Sequence, residues 1–569
     1  MPTQVPDTSL PQRPGVPLAR MAARAPIPAV RRVARAALAL RMRWRPQTRR
    51  ALRARELSVV WDGDDLVVAR RNLRTSPHDL ARRNRALVVD AAERAGATWF
   101  EVHSRNTVAT EVAVLGEHWP AFTRELLRLL DSHAQPVYLG LGAEAFGRAL
   151  RWAELSSAPT ARAGLRHQPV VSVFAPEHLP GHTSGFGSQT ACVVARWDRQ
   201  GDDYVSPTRN PTTQLVAADR VQVVDEEWHG LAHRRLADDR PTALDVTVPI
   251  DVVYLWVDGE DPAWQARFAR TKAERDAADP AARAAAQTDE ADDEAVAVWR
   301  FRDRDELRHS MRSMEMYLPW VRHIYLVTDQ QRPDWLDPDH PRITLVDHSE
   351  ILDPGDLPTF NSHTIGSRLH RIPGLSEHYL VLNDDVFFNA PLTPQHFFLG
   401  NGSVRFFLSK ARAPLIAQED RSAIESARRN SARLLEQEFG PAVNALFLHA
   451  PIAQRVSLME EMEERFPQAF AALRGSHFRD PADFEINSWL HHHFAYATGR
   501  GVPSRMRYGY YDVSRRASWE TLQRMVPGRG TQTFCVNDGP PVEGVDRSAD
   551  LARWFARYYP TPSAFERRR

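Results

Sequence analysis

Two acidic tripeptides carry the clearest chemistry in this 569-residue sequence, Asn383-Asp384-Asp385 and Asn537-Asp538-Gly539. Each ends an apolar run, EHYLVL in one case and TFCV in the other. Adjacent carboxylates beside apolar residues are costly to desolvate. One reading is a hard cation held by oxygen ligands against a phosphate. The other is a turn in which Asn and Asp cap their own backbone. Apolar Val386-Phe387-Phe388 resumes at once after Asp385, which favours the first. Asp258 ends a third such run, VTVPIDVVYLWVD, and Asp329 a fourth, VRHIYLVTD.

Other polar groups cluster nearby in sequence. Asn361, Ser362, His363, Arg368, His370 and Arg371 fall within eleven positions, a density of short polar groups and bases that suits a phosphosugar. In FRDRDELRHSMRSMEMYLPW, Arg308 and Arg312 present guanidinium forks that match phosphate oxygens, alongside Asp303 and Glu306. His449 stands two residues before Pro451, ahead of an expected helix, which gives it the fixed direction a general base needs. His491-His492-His493 is read as structural, because consecutive helical residues point in different directions.

The elements that must position these groups are legible as periodicities. Apolar β-branched runs predict strands near 250–257, 323–328, 343–346 and 379–383. If parallel, they set Asp258, Asp329 and Asp384 along one edge, where open α/β sheets bind ligands. Leu307, Met311, Met314 and Leu318 recur at helical spacing, with Asp303 or Asp305 as cap and Pro319 as stop. Residues 265–298, rich in Ala and charge, form a helical excursion or a lid. A helix is expected from Ser422 to Phe439, and another capped around Asp483. The expected fold is an α/β catalytic domain over 246–569 with a mainly parallel, Rossmann-like central sheet.

A smaller α/β domain is expected over 56–245. It begins with a hairpin around Asp62-Gly63, and its tract at 180–212 reads as a loop. Gly140, Gly142 and Gly147 lack the dinucleotide-binding spacing, so a tight turn is expected there. Residues 1–55 form a basic arm, with five prolines in the first 25 positions. Between 27 and 57, Arg31, Arg32, Arg35, Arg41, Arg43, Arg45, Arg49 and Arg50 mix with Leu38, Met42 and Trp44. That pattern fits an amphipathic helix on an anionic membrane surface, or a solvated helix-prone tail.

Composition limits the function classes. Net charge is +1, which argues against a nucleic-acid-binding protein. Two cysteines, Cys192 and Cys535, make neither a disulfide framework nor a four-ligand zinc site. Together with the absence of a long apolar span or a signal-like N-terminus, this predicts a cytoplasmic location, peripheral to the membrane if the arm binds there.

IDVVYLWVDGEDPAW, RFRDRDELRHSMRSMEMYLPWVRHIYLVTD, LPTFNSHTIGSRLHRIPGLSEHYLVLNDDVFF and FCVNDG with YYPTPSAFE resemble, in order, the conserved regions of the Stealth family. The resemblance runs over about 248–567 and leaves 1–245 uncovered. These are sugar-1-phosphate transferases, among them bacterial capsule polymerases and the animal lysosomal-enzyme N-acetylglucosamine-1-phosphotransferase. The resemblance implies that a UDP-sugar gives its sugar-1-phosphate to a glycan hydroxyl and releases UMP. It implies Mg²⁺ or Mn²⁺ or nucleotide binding at Asp258, Asp384, Asp385, Asn537 and Asp538, with Asn383 beside them. Arg308, Arg371 and Arg479 become phosphate clamps, His449 the first choice of base and His370 the second. His449 and Arg479 fall in the family's third region, whereas His363 lies where its animal members differ. A glycosyltransferase releasing UDP, or a non-catalytic scaffold recruited by the arm, are the competing readings.

Overall fold

In the computed structural model, the described residues are 57–567 except 63–64, 73, 103–109, 133–136, 142–149, 152–164, 181, 183–184, 229–230, 279–295, 414–422, 442 and 538–546. The basic arm, Gly142, Gly147, much of the 265–298 segment and Asp538 therefore lie outside the described residues.

The apolar runs of the C-terminal half do form strands: β1 (Ile250–Leu255), β2 (Ile324–Thr328), β3 (Ile343–Asp347) and β4 (His378–Asn383). They pair in parallel in the order β3-β2-β1-β4. Successive side chains alternate between faces. Val252, Tyr254, Leu326 and Leu380 enter one core, while Val253, Tyr325, Val327 and Tyr379 enter another. Both faces of the sheet are thus buried, which is why these strands read as continuous apolar runs. Their carboxyl ends face one way, and Asp258, Asp329 and Asp384 follow those ends.

Between β1 and β2 the described residues form two α-helices. The first, α1 (Pro262–Ala278), makes this segment helical as far as residue 278. Trp264 and Phe268 anchor it among Phe301, Phe360 and Phe478, and Arg267 bonds Asp329 at 2.9 Å. The second, α2 (Glu306–Tyr317), buries Leu307, Met311 and Met314 as expected, but also Ser310, Arg312 and Ser313. Neither acid caps it through its side chain. Asp305 occupies the cap position in a left-handed conformation (φ 68°), and Asp303 instead accepts the Asp305 N–H at 2.8 Å.

After β4 the chain makes a short strand, β5 (Val386–Phe388). It later adds β6 (Ile452–Arg455), antiparallel to β4 at the sheet edge. The expectation that Pro451 leads straight into a helix is corrected here. Ile452–Arg455 was too short to read as a strand, and the helix starts only at Val456. Likewise Asp483 caps no helix: the next turn is π-helical, Ile486–Leu490, and its cap position is Glu485. The expected helix before Gly440 is present as Ala423–Phe439. His491 and His492 are buried and their imidazoles are held neutral, burial pushing His491 down to about 3, so the triplet is structural. Near the end, β7 (Tyr508–Asp512) and β8 (Thr533–Asn537) join β5 in a small sheet of order β5-β8-β7, and α3 (Ser548–Tyr558) packs on it.

The N-terminal region also mixes helices and strands. Leu57–Asp62 and Asp65–Arg71 form the expected hairpin. Its main sheet is largely antiparallel, with one parallel pair between Thr110–Leu115 and Cys192–Gln200. The latter strand corrects the loop expected at 180–212. Turn residues surround it, but Val194, Ala195 and Trp197 are fully buried. Leu80, Leu179 and Phe186 enter the C-terminal core, so the two regions share apolar contact.

Glu566 closes the C-terminal half. Its carboxylate takes two bonds from the Arg312 guanidinium (2.6 and 2.8 Å) and one from Arg308 (2.7 Å). Burial pushes this carboxyl up, but Arg312, the Ser563 N–H and Arg308 outweigh it and hold it down to about 2. Its stabilisation is complete above the ordinary glutamate value of about 4.3 and is lost as the pH falls through the folded value. Glu566→Ala leaves Arg312 buried and unpaired, so urea denaturation should show a loss of about 3–5 kcal/mol at neutral pH.

Candidate active site

A close backbone approach sets the acids side by side. Gly259 follows β1 and donates its N–H to the Phe301 carbonyl at 2.8 Å. A Cβ there would lie 2.4 Å from that oxygen, so only glycine lets the 301–305 loop rest on the strand end. The loop carries Asp303, which accepts from the Trp256 indole at 3.1 Å. Glu306 opens α2 and is buried; Asp384 follows β4. Burial, the Asp305 charge and the Asp258 charge push Asp303 up to about 6, against hydrogen bonds from Asp305 and Trp256. Burial together with Asp384 and Asp303 drives Glu306 well up, and burial with Asp385 and Asp303 does the same to Asp384. These acids raise one another, as carboxylates sharing a site do.

His449 reaches them through topology. Because β6 runs antiparallel to β4, with Ile452 opposite Val381, the chain entering β6 passes the carboxyl end of β4. The His449 Nε2 lies 3.2 Å from Asp385 Oδ1 and 3.1 Å from the Asn383 amide nitrogen. Both contacts use the same ring nitrogen. When Nε2 carries a proton it donates to Asp385; when it does not, it accepts from Asn383. Among the described residues no hydrogen bond is made at Nδ1, and the side chain is 44% exposed. Burial disfavours the imidazolium, but the charge and hydrogen bond of Asp385, with Asp384 and Glu485, outweigh it and raise the pKa. Burial likewise opposes ionisation of Asp385, yet His449 and Cys535 hold it below the usual range.

Cys535 is the group that sequence reasoning missed. Its thiol donates to Asp385 Oδ2 at 3.0 Å, because β8 pairs with β5 and sets Cys535 opposite Val386. The ligand atoms of Asp385, His449 and Cys535 lie within 4.8 Å of one another, the spacing of a soft-metal site. Burial and the neighbouring Asp385 keep the thiol protonated, so the three form a hydrogen-bonded chain, Cys535–Asp385–His449.

The other sequence candidates divide. The Arg479 guanidinium donates to the Ser362 hydroxyl at 3.0 Å, so these two are brought together. Asn361 is fully buried and caps the short 362–366 helix, while its amide bonds Asp483 at 2.8 Å. Asn537 ends β8 next to the Asp384–Asp385 turn, as Val536 N–H bonds the Asp385 carbonyl at 3.0 Å. The Asp258 carboxylate accepts the Glu260 N–H, and its backbone N–H and carbonyl bond the side-chain amide of Gln331. Arg308 is held by Glu566 rather than pointing free. His370, the second choice of base, and Arg371, read as a phosphate clamp, share one carboxylate. With Arg368 they surround Glu463 at 3.0, 2.8 and 2.7 Å and hold it down to about 2. Neither bonds the acids at the strand ends. Glu463, 93 residues after His370, is what pairs with them.

Acids gathered at the carboxyl ends of parallel strands, with His449 bonded to one of them, define an α/β protein carrying groups suited to acid–base chemistry at the sheet edge where such folds bind ligands. Family models of the Stealth protein match at three places: conserved region 1 over 248–276, region 2 over 300–406 and region 3 over 448–496. An exopolysaccharide phosphotransferase of Streptomyces coelicolor is 40% identical over 529 residues, covering 89% of this chain and 85% of the relative. A second from the same organism is 33% identical, covering 87% and 85%. The exopolysaccharide phosphotransferase CpsY of Mycobacterium tuberculosis is 38% identical, covering 58% and 60%. The chain belongs to the Stealth family of transferases. The acids, Asn383 and His449 fall inside the three matches, whereas Cys535 and Asn537 fall beyond them. A galactosyltransferase, LgtC, solved with donor and acceptor sugar analogues, aligns with a TM-score of 0.27 at 12% identity over 53% of this chain and 95% of its own. A likeness that weak carries no argument.

Asp385→Asn should reverse the His449 shift. Burial then prevails, and the imidazole should lose its proton below 6.5 rather than above it. NMR titration of histidine-labelled protein reads this directly, and an unmoved midpoint would separate the two groups.

Proposed function

We propose that the chain transfers a sugar-1-phosphate from a UDP-sugar to a hydroxyl of an acceptor glycan in exopolysaccharide synthesis. The acceptor oxygen forms a bond to the phosphorus next to the sugar, the bond to the UMP oxygen breaks, and UMP leaves. The anomeric carbon is untouched. The names of the relatives support phosphosugar transfer. The observation in the molecule that carries the reading is the His449–Asp385 pair, open to the cleft and beside acids that repel one another.

His449 takes the acceptor proton at Nδ1, while Nε2–H bonds Asp385, which stabilises the imidazolium as it forms. Arg479 and Ser362, bonded together, hold phosphate oxygens. Asp303, Glu306 and Asp384 supply oxygen donors that suit Mg²⁺ or Mn²⁺, and their raised pKa values are the signature of a set that a dication would relieve. Asp385 already spends both oxygens on His449 and Cys535, which moves the metal role to Asp384. When bound, the cation offsets charge on the diphosphate. The protein works on the inner side of the cell membrane, and the arm at 27–57 draws it to anionic lipid. No helix among the described residues is long and apolar enough to cross a membrane. Salt-sensitive co-sedimentation with anionic vesicles, lost on deleting residues 1–55, tests the arm.

A screen of UDP-sugars for nucleotide release, with glycan from the producing cell, tests the reaction. UMP is expected; UDP would establish glycosyl transfer instead. His449→Ala should lower turnover by about 10²–10⁴-fold with donor KM little changed. Excess EDTA should stop turnover. Melting curves give a readout free of activity: Mg²⁺ or Mn²⁺ at about a hundred times its Kd should stabilise by about 2.7 kcal/mol. Asp384→Asn should be no less stable than wild type in EDTA and should lose that response.

A further inference from the structure

The outer strand of the small sheet, β7, carries a tyrosine that the fold leaves uncovered. Tyr510 is 52% exposed. In the parallel register of β7 with β8, Tyr508 lies beside Thr533, Tyr510 beside Cys535 and Asp512 beside Asn537. Residues paired in register share a face of the sheet. The Cys535 thiol on that face bonds Asp385, the partner of His449.

The remaining β7 residues turn the other way. The Tyr511 ring folds over Gly509, where a Cβ would lie 2.6 Å from its hydroxyl, and meets Phe534 edge-on at 6.1 Å. Phe534 belongs to the core. Thus Tyr511 is spent on packing, and Tyr508 and Tyr510 border the reactive chain. The Tyr508 hydroxyl is buried near the Cys535 thiol without good hydrogen-bond geometry to it. Burial first, and then the nearby acidic groups, the Asp385 carboxylate among them, push the Tyr510 phenol up to about 12, in keeping with its place beside Cys535 in the register.

An exposed aromatic ring offers a flat apolar face with a polar tip. It has little to give a diphosphate, which needs cations and N–H donors. A neutral pyranose fits it well, since the ring's C–H groups form an apolar face and its hydroxyls surround the edge. We propose that Tyr510, backed by Tyr508, is the platform on which a neutral sugar ring of the acceptor glycan stacks, so that an acceptor hydroxyl is presented to His449. The inference rests on the transfer reading above and adds where the acceptor binds and which acceptors suit: uncharged rings with one apolar face.

The test uses the full chain and, as acceptor probe, oligosaccharides made by partial acid hydrolysis of the producing cell's exopolysaccharide. Tyr510→Ala should raise the acceptor KM about tenfold, the loss expected for one stacking contact. Donor KM and acceptor-free UMP release should stay within about twofold, since neither uses the platform. Tyr510→Trp should keep the wild-type acceptor KM. An unchanged acceptor KM in Tyr510→Ala overturns the proposal, as does a parallel rise in donor KM. Calorimetric binding of the same oligosaccharides without donor makes the comparison with no turnover. If wild type releases no UMP from any donor yet binds the probe and Tyr510→Ala does not, the reaction is misread and the platform stands.

Discussion

Carboxyl groups packed together at the end of a sheet repel one another, and much of the C-terminal half holds them there against that repulsion. Asp303, Glu306 and Asp384 belong to three separate elements. Gly259 allows the first to approach, α2 fixes the second at its first turn, and β4 delivers the third. Each support is itself braced. The Tyr254 hydroxyl of β1 meets the Ser310 hydroxyl of α2 at 2.9 Å, and Ser310 donates to the Val386 carbonyl just past the acid pair. Such strain at a functional site is tolerable only where the surroundings are rigid and well packed. Here they are: the residues around α2 are almost entirely buried.

Within this acidic cluster one carboxylate behaves differently. Asp385 is as hemmed in as its neighbour, yet its pKa falls while that of Asp384 rises. The distinction comes from partners, not from position. Asp385 accepts from an imidazole and a thiol, whereas Asp384 faces other acids. Two adjacent residues of one type thereby obtain opposite protonation preferences, the separation that acid–base chemistry at neutral pH requires.

The parallel strands and the edge they present were legible in the sequence, because a strand buried on both faces must be an unbroken apolar run. So were α2 and the acids that terminate β1 and β4. What was not legible was pairing across long stretches of chain. His449 was singled out for its place before a helix, but its position follows from β6, four residues with no pattern of their own. A lone Cys535 carries no local signal, since its bond to Asp385 exists only once β8 pairs with β5. Arg308, His370 and Arg371 were chosen for their charge, and that charge is matched by Glu566 and Glu463, far along the chain. Local composition reveals which groups exist; the carboxylate that claims each cation is a tertiary fact.

The Arg312–Glu566 pair spans 254 residues. A ribosome adding about 5–20 residues per second needs roughly 13–50 seconds to cover that stretch. Throughout that interval Arg312 of α2 has no Glu566 carboxylate to meet it. The native burial of Arg312 in α2 therefore waits on a carboxylate made 254 positions later, however early its apolar neighbours are made.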